Sequence, residues 1–210
     1  MGKLILCVGA LLALSVSRVG AVPVTVQELS VSPAQVAYIN VTGFYSGGAY
    51  AGIVNLKVNG VETDGFCIDP FHFSSRSSMQ YEMVNLADAP KAYLPTFNGD
   101  MGELKAAQIS KLWGMAFSAT MTASQAAAMQ IAIWEIVAGD LFSVSGNDFG
   151  ASVLLGKLAT YSGPAANLVG LTGPGQDYVI ASVPDGGATA LLFLIGFGAM
   201  SAAKTFVRRK

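Results

Sequence analysis

The stretch Met129–Val137, MQIAIWEIV, has one polar side chain at a position where an apolar one is expected. If the stretch is helical, Gln130 shares one side of the helix with four apolar residues, at spacings of three, four and seven: Ala126, Ile133, Trp134 and Val137. Gln125 and Glu135 fall on the opposite side, where solvent is expected. A buried amide without hydrogen-bond partners costs about 1–3 kcal/mol. Another part of the chain is therefore expected to hold the Gln130 carboxamide.

Capping patterns on either side of this stretch set the bounds of the predicted helix. Thr122 followed by Gln125 is a capping box, in which each side chain bonds the backbone of the other residue. Gly139 is typical of the residue that follows the C-terminus of a helix. The sequence therefore predicts a helix over Ala123–Ala138, with Gln130 near its middle.

Two more helices are predicted on either side of this one. Asp100 with Glu103 predicts a second capping box, which opens a helix that runs to about Phe117. The segment Gly150–Tyr161 predicts a third helix, with Asp148 near its start. The middle of the chain is therefore expected to be helical.

The segments around the helices are rich in β-branched and aromatic residues. The predicted strands are Val22–Val31, Val36–Phe44, Ala49–Val58, Val61–Ile68 and Gln176–Ser182. Asn59-Gly60 is a strong signal for the turn of a β-hairpin. Strands, then helices, then a strand predict one α+β domain at residues 22–182. We expect a β-sheet or small barrel with an inserted helical subdomain.

The first 21 residues predict a signal peptide for export. Lys3 supplies the positive charge, Leu4–Leu14 is the apolar segment, and Val19-Gly20-Ala21 is close to a small-x-small cleavage site. The apolar segment is too short for a membrane-spanning helix. Cys7 leaves with the signal peptide, so the mature chain keeps one cysteine, Cys67, which cannot form an intramolecular disulfide. A lone thiol in an oxidising compartment is expected to be buried, paired between chains or chemically used.

Residues 183–210 have three parts. The first is a turn-rich motif made of Val183, Pro184, Asp185, Gly186 and Gly187. The apolar residues 188–203 then predict a C-terminal transmembrane helix. The basic residues 204–210 follow, ending in Arg208, Arg209 and Lys210. Positive charge at this end places the C-terminus in the cytoplasm and the body of the chain outside it.

This order of motif, apolar span and basic tail resembles a PEP-CTERM sorting signal, in its Val-Pro-Asp-Ser/Gly-Gly variant. The resemblance implies a Gram-negative bacterium and an intermediate held in the inner membrane. It also implies a partner exosortase that removes the tail, after which the protein reaches the cell surface or the extracellular matrix. A permanent C-terminal anchor is the alternative interpretation.

One covalent bond explains both the lone Cys67 and the misplaced Gln130. The Cys67 thiolate can attack the Gln130 side-chain carbonyl and expel ammonia, which leaves a γ-glutamyl thioester. The bond removes the free thiol and also the buried amide NH₂ group. We therefore expect the strand that carries Cys67 to lie against the helix that carries Gln130.

The segments GFCIDP and MQIAIWEIV also resemble the two signatures of bacterial surface thioester domains. The matching residues are Phe66, Cys67 and Ile68 in the first signature, and Gln130, Ala132, Ile133 and Trp134 in the second. Met129 stands where threonine is common. The resemblance implies a thioester that captures amine or hydroxyl nucleophiles of another surface. Capture happens once per molecule, so the protein is not expected to be an enzyme. Phe66 and Trp134 are expected to keep water away from the bond.

Composition narrows the classes of function. Charged residues make up 12% of the chain and the formal net charge is −1, so no basic surface for nucleic acid is predicted. A surface with few charges is typical of extracellular and matrix proteins. No group of His, Cys and Asp has the spacing of a metal site, and no cofactor is implied.

The same residues have simpler interpretations. Cys67 can be an inert buried thiol, and Gln130 can hydrogen-bond a strand carbonyl. Asp69 lies on the same strand side as Cys67, where it supports the bond or serves as a turn residue. His72 makes a Cys-His hydrolase conceivable, but no carboxylate that would orient it is evident. Two function classes remain: a covalent adhesion module, and a structural biofilm matrix protein in which the two residues are only crosslinked or are not linked.

We predict that replacing both Pro184 and Asp185 by Ala blocks removal of the tail, because the motif is where an exosortase would act. In cells that carry an exosortase, the variant should stay uncleaved in the membrane fraction, as judged by immunoblotting. Normal release of the variant would contradict the sorting signal and favour a permanent anchor.

Overall fold

The computed structural model describes residues 21–94 and 97–182, which form a mixed α/β fold dominated by an antiparallel sheet. The strands are β1 (Val22–Val41), β2 (Tyr45–Val58), β3 (Val61–Cys67), β4 (Met79–Asn85), β5 (Ala92–Leu94), β6 (Phe97–Gly99), β7 (Phe142–Ser145), β8 (Leu168–Thr172) and β9 (Tyr178–Ala181). The helices are α1 (Gly102–Ala116), α2 (Ala123–Ala138) and α3 (Ala151–Leu158). All three helices lie between β6 and β8 in the chain.

Six strands pair in a closed ring, in the order β1, β2, β3, β9, β8, β4 and back to β1. Every pairing in the ring is antiparallel. Alternate residues of five of these strands, all but β3, form one buried cluster: Val24, Val26, Val54, Leu56, Tyr81, Val169, Leu171, Tyr178 and Ile180. Because side chains alternate between the two faces of a strand, this cluster fills the inside of the ring, as in a small barrel. The predicted combination of strands and helices is confirmed as a mixed α/β fold, in which an antiparallel sheet dominates and three helices accompany it.

The long strand β1 replaces two of the predicted strands. It runs unbroken from Val22 to Val41, and its pairing with β2 shifts register between Val31 and Ala34. Past the ring, β1 and β2 continue as a two-stranded ribbon, to which β7 adds along β1. The predicted hairpin turn between β2 and β3 is confirmed, because Asn59 and Gly60 both have positive φ angles, of 48° and 87°.

Helix α2 lies at the centre of the larger core. It packs against β1, β2, β3 and β7 and also against α1 and α3. Its predicted bounds are confirmed, and so is the capping box between Thr122 and Gln125. The expectation of one buried side was too narrow, because every residue from 126 to 134 is buried. The reason is that both the sheet and the other helices cover it, and only residues 123–125, Glu135 and Ile136 are not buried.

The start of α1 differs from the prediction. The N-cap residue is Met101, without a side-chain cap, so the predicted capping box of Asp100 and Glu103 does not form. Met101 is instead buried, and its backbone N–H donates to the Ala89 carbonyl at 2.9 Å. This tertiary contact sets the start of the helix. The third helix is shorter than predicted, and Asp148 binds the backbone at its start.

The predicted signal peptide lies outside the described residues, except for Ala21. Residues 183–210, with the predicted transmembrane helix, also lie outside them. Within the part of the chain that is described, no helix is both long and apolar enough to cross a membrane.

We predict that Thr122→Ala lowers the free energy of unfolding by about 1 kcal/mol, because the first turn of α2 loses its side-chain cap. Urea unfolding followed by circular dichroism measures the change. Ser124→Ala is the matched control, since this exposed residue of the same turn should change stability by less than about 0.5 kcal/mol. Equal stability of Thr122→Ala and the wild type would contradict the role of the cap.

Candidate functional site

Cys67 is the last residue of β3, at one end of the ring. Its neighbour along the sheet is Tyr178 of β9, and the next backbone N–H, of Ile68, donates to the Asp177 carbonyl at 3.0 Å. On the other side of β3, β2 pairs only as far as Gly65. The backbone groups of Cys67 on that side therefore need a partner that is not a strand.

Gln130 of α2 supplies this partner. The Cys67 N–H donates to Gln130 Oε1 at 2.9 Å, and Gln130 Nε2 donates to the Cys67 carbonyl at 2.7 Å. The carboxamide thus takes the place of a peptide group of a neighbouring strand. Both residues are almost fully buried, at 2% and 1% exposure. The carboxamide is therefore buried on α2 because it pairs with the backbone N–H and carbonyl of Cys67, which have no strand partner on that side.

The sulfur atom of Cys67 is held from two sides. Trp134 lies one turn after Gln130 on α2, and its indole N–H donates to Cys67 Sγ at 3.2 Å. The backbone N–H of Asp69 donates to the same sulfur at 3.3 Å. Burial raises the pKa of the thiol well above its ordinary value, and the negative charge of Asp69 adds to the rise, while the Trp134 hydrogen bond opposes it. The free thiol is therefore neutral near pH 7.

The loop after β3 folds back beside the sulfur. Asp69 is buried, accepts a hydrogen bond from the Phe71 N–H, and binds His72 Nδ1 through Oδ2 at 2.6 Å. The side chain of Gln176 donates to the carbonyls of Asp69 and His72, at 3.2 and 3.1 Å. Burial raises the pKa of Asp69, and the bond to His72 opposes that rise. The sequence expectation that no carboxylate orients His72 is wrong, because a turn of three residues brings Asp69 to it.

A second buried carboxyl stands behind this loop. Asp177 accepts hydrogen bonds from the backbone N–H groups of Lys91 and Gly173. Burial raises its pKa to about 7, and the charge of Asp69 contributes to the rise. Two carboxyl groups are therefore buried close to the sulfur, and burial raises the pKa of each.

A cleft of about 570 Å³ opens above Cys67, Gln130 and Trp134. These three residues are buried, so they form its floor. Its lining includes Phe44, Tyr45, Tyr50, His72, Phe73 and Arg76. Phe73 is 67% exposed, and its ring packs at a tilt against Phe44 and edge-on against Tyr45, at centroid distances of 5.1 and 5.7 Å. A side chain of a docked molecule therefore has an aromatic passage towards the buried carboxamide.

No protein family, curated protein or solved structure matches this chain. Its function therefore has to be inferred from the chemistry of the cleft.

The structure brings most of the predicted site residues together. Cys67 and Gln130 are in direct contact, and Trp134 and Asp69 hold the sulfur. Phe66 lies on the other side of the strand, where it packs edge-on against Trp113 and Phe117 and fixes β3 to α1. Phe66 is therefore placed to position the strand. From the sequence, Phe66 was expected to cover the sulfur instead. The described residues contain no group of His, Cys, Asp and Glu that could hold a metal ion.

In the Cys67→Ala protein, which cannot form a thioester, we predict that Gln130→Met lowers the free energy of unfolding by at least about 2 kcal/mol, because the buried backbone N–H and carbonyl at position 67 both lose their partner, at about 1–3 kcal/mol each. Urea unfolding measures the loss relative to Cys67→Ala alone. Glu135→Met on the exposed face of α2, also made in the Cys67→Ala protein, is the control and should stay within about 0.5 kcal/mol of Cys67→Ala alone. A Gln130→Met protein as stable as this control would contradict the role of the carboxamide.

Proposed function

We propose that Cys67 and Gln130 form an internal thioester, through which the exported protein attaches itself covalently to amine or hydroxyl groups of another surface. The observation that carries the proposal is the contact between the Gln130 carboxamide and Cys67 at the floor of an open cleft. Chance burial of a glutamine does not require a cysteine at the strand end that it binds.

The bond forms by loss of ammonia. The sulfur of Cys67 attacks Cδ of Gln130, and the negative charge that develops falls on Oε1, where the Cys67 N–H already donates. The C–N bond then breaks, and the nitrogen leaves as ammonia with the proton of the thiol. Trp134 supports this step, because a hydrogen bond to the sulfur favours the charged thiolate.

Capture of a target reverses the roles of the two groups. A nucleophile that enters the cleft attacks the Gln130 carbonyl carbon, the C–S bond breaks, and Cys67 leaves as thiolate. A thiolate is a far better leaving group than an amide nitrogen, so the thioester stores an activated acyl group. The target ends as an amide or ester of Gln130. The reaction is not repeated, which makes the protein a single-use linker and not an enzyme.

Export and sorting complete the proposal. The signal peptide at 1–21 and the three-part segment at 183–210 support export and passage through the inner membrane as an anchored intermediate. An exosortase then releases the domain to the cell surface or extracellular matrix of a Gram-negative bacterium. There, lysines of proteins or hydroxyl groups of polysaccharides are the available nucleophiles.

A second function is favoured by one observation, that the Gln130 carboxamide has partners for both of its polar atoms without any covalent bond. In that case the protein is a structural component of a biofilm matrix. The Cys67–Gln130 contact then only joins β3 to α2, either as hydrogen bonds or as an unreactive crosslink.

Incubation with methylamine tests the proposed function. We expect the purified exported protein to weigh one ammonia less than its sequence, to take up one methylamine at Gln130, and to release one thiol at Cys67. Peptide mass spectrometry and a thiol reagent measure the two products. Cys67→Ala and Gln130→Ala are the matched controls and should show their full mass and take up no methylamine.

A full mass and a titratable thiol before any amine is added would contradict the thioester. The second function, a structural component of a biofilm matrix, would then remain. A missing ammonia without methylamine uptake, even after mild loosening of the fold, would make the bond a structural crosslink and exclude covalent capture.

A further inference from the structure

We propose that His72, oriented by Asp69, takes the proton from a hydroxyl group as that group attacks the Cys67–Gln130 thioester. The preferred target is therefore a hydroxyl-bearing molecule, such as a polysaccharide, and not a protein amine. This inference rests on the proposed thioester and names the class of nucleophile that its cleft selects.

The imidazole of His72 is held in the form that a base requires. Nδ1 lies 2.6 Å from Asp69 Oδ2. Beside the carboxylate form of Asp69, which can only accept a hydrogen bond, the neutral imidazole carries its proton on Nδ1 and donates a hydrogen bond to that oxygen. This arrangement leaves Nε2 without a proton and able to accept one. The Asp69 side chain is 1% exposed, whereas that of His72 is 38% exposed and lines the cleft. The carboxylate is therefore hidden behind the imidazole, which faces the space that a target enters.

The same loop ties this imidazole to the reacting sulfur. Asp69 donates its backbone N–H to Cys67 Sγ while its carboxylate holds His72. Gln176 fixes the loop from outside, through the carbonyls of Asp69 and His72. The proton acceptor and the leaving group are thus fixed relative to each other by consecutive hydrogen bonds.

A base matters more for hydroxyl than for amine nucleophiles. A neutral amine attacks an acyl group with its own lone pair and can lose a proton afterwards. A hydroxyl group is a weak nucleophile until its proton is removed, and a positioned base contributes about 10²–10⁴-fold to such a step. A histidine–carboxylate arrangement in the cleft is therefore of little use for lysine capture and of much use for alcohol capture.

The atoms of the step balance. The O–H proton moves to His72 Nε2 as the oxygen bonds to Cδ of Gln130. The C–S bond then breaks, and the imidazolium returns the proton to the Cys67 thiolate. The products are a Gln130 ester of the target and a free Cys67 thiol.

Water is also a hydroxyl nucleophile, and this gives a second consequence. When no target is present, the same base should slowly activate water and hydrolyse the thioester. Removing the base should therefore lengthen the life of the bond in buffer. Simple damage to the site has the opposite effect, because it would let more water reach the bond.

The test compares His72→Gln with Arg76→Gln, a control that changes another polar residue lining the cleft. Intact mass first shows whether each exported protein lacks one ammonia. Mass spectrometry then follows three rates: capture of glycerol, capture of methylamine and hydrolysis in buffer. For His72→Gln we expect glycerol capture and hydrolysis to fall by about 100-fold or more, and methylamine capture by less than about tenfold. Added imidazole should restore glycerol capture to His72→Ala.

Three outcomes would overturn the inference while leaving the thioester in place. They are unchanged glycerol capture in His72→Gln, an equal loss of glycerol and methylamine capture, and faster hydrolysis than in the wild type. The same change of selectivity in Arg76→Gln would also overturn it, since the effect would then belong to the shape of the cleft. A wild-type protein of full mass would overturn the proposed function itself.

Discussion

The paired hydrogen bonds between the Gln130 carboxamide and the backbone of Cys67 are the interaction on which the site depends. They join the central helix to the last residue of a strand that has no strand partner on that side. The carboxamide is thereby buried without loss of hydrogen bonding, and its carbonyl carbon is kept beside the only cysteine of the predicted mature chain. Any account of function has to explain why these two side chains are held together.

The fold provides this contact through two separate cores. The ring of six strands has its own apolar filling, and β3 pairs with β2 and β9 in that ring while its Phe66 packs against Trp113 of α1. The larger core lies between the ribbon of β1 and β2 and the three helices, and α2 runs through its middle. Because α2 is enclosed on nearly every side, Gln130 and Trp134 have little freedom to move away from the sulfur. The cleft then forms where the end of the strand ring, the ribbon and the loop after β3 meet.

Local signals in the sequence predicted the parts of the site that depend on local rules. The Thr122 capping box and Gly139 bounded α2, Asn59-Gly60 marked the β2–β3 turn, and the misplaced Gln130 pointed to a partner. The strands β4 and β8, which close the ring, were not predicted. β4 is short and partly polar, and the apolar run of β8 is too short for its period to distinguish strand from helix. Their pairing is set by contacts between distant segments, which no local pattern encodes.

The orienting contact of His72 was missed for a similar reason. Asp69 reaches His72 only because the chain turns sharply after β3. Gln176, which is far from this turn along the chain but contacts it in the fold, holds the turn in place. The Asp-x-x-His spacing was the one signal available, and on a strand it would have placed the two side chains on opposite faces. The same turn brings the Asp69 backbone to the sulfur, so the loop serves both the leaving group and the proton acceptor.

The most direct test of the central claim is a high-resolution crystal structure of the exported protein, determined before any exposure to amines. The thioester predicts continuous electron density between Cys67 Sγ and Gln130 Cδ, with no nitrogen at the Nε2 position. Separate side chains would contradict the thioester. In that case Gln130 Nε2 is present and donates a hydrogen bond to the Cys67 carbonyl, and Cys67 keeps a free thiol beside the Trp134 indole.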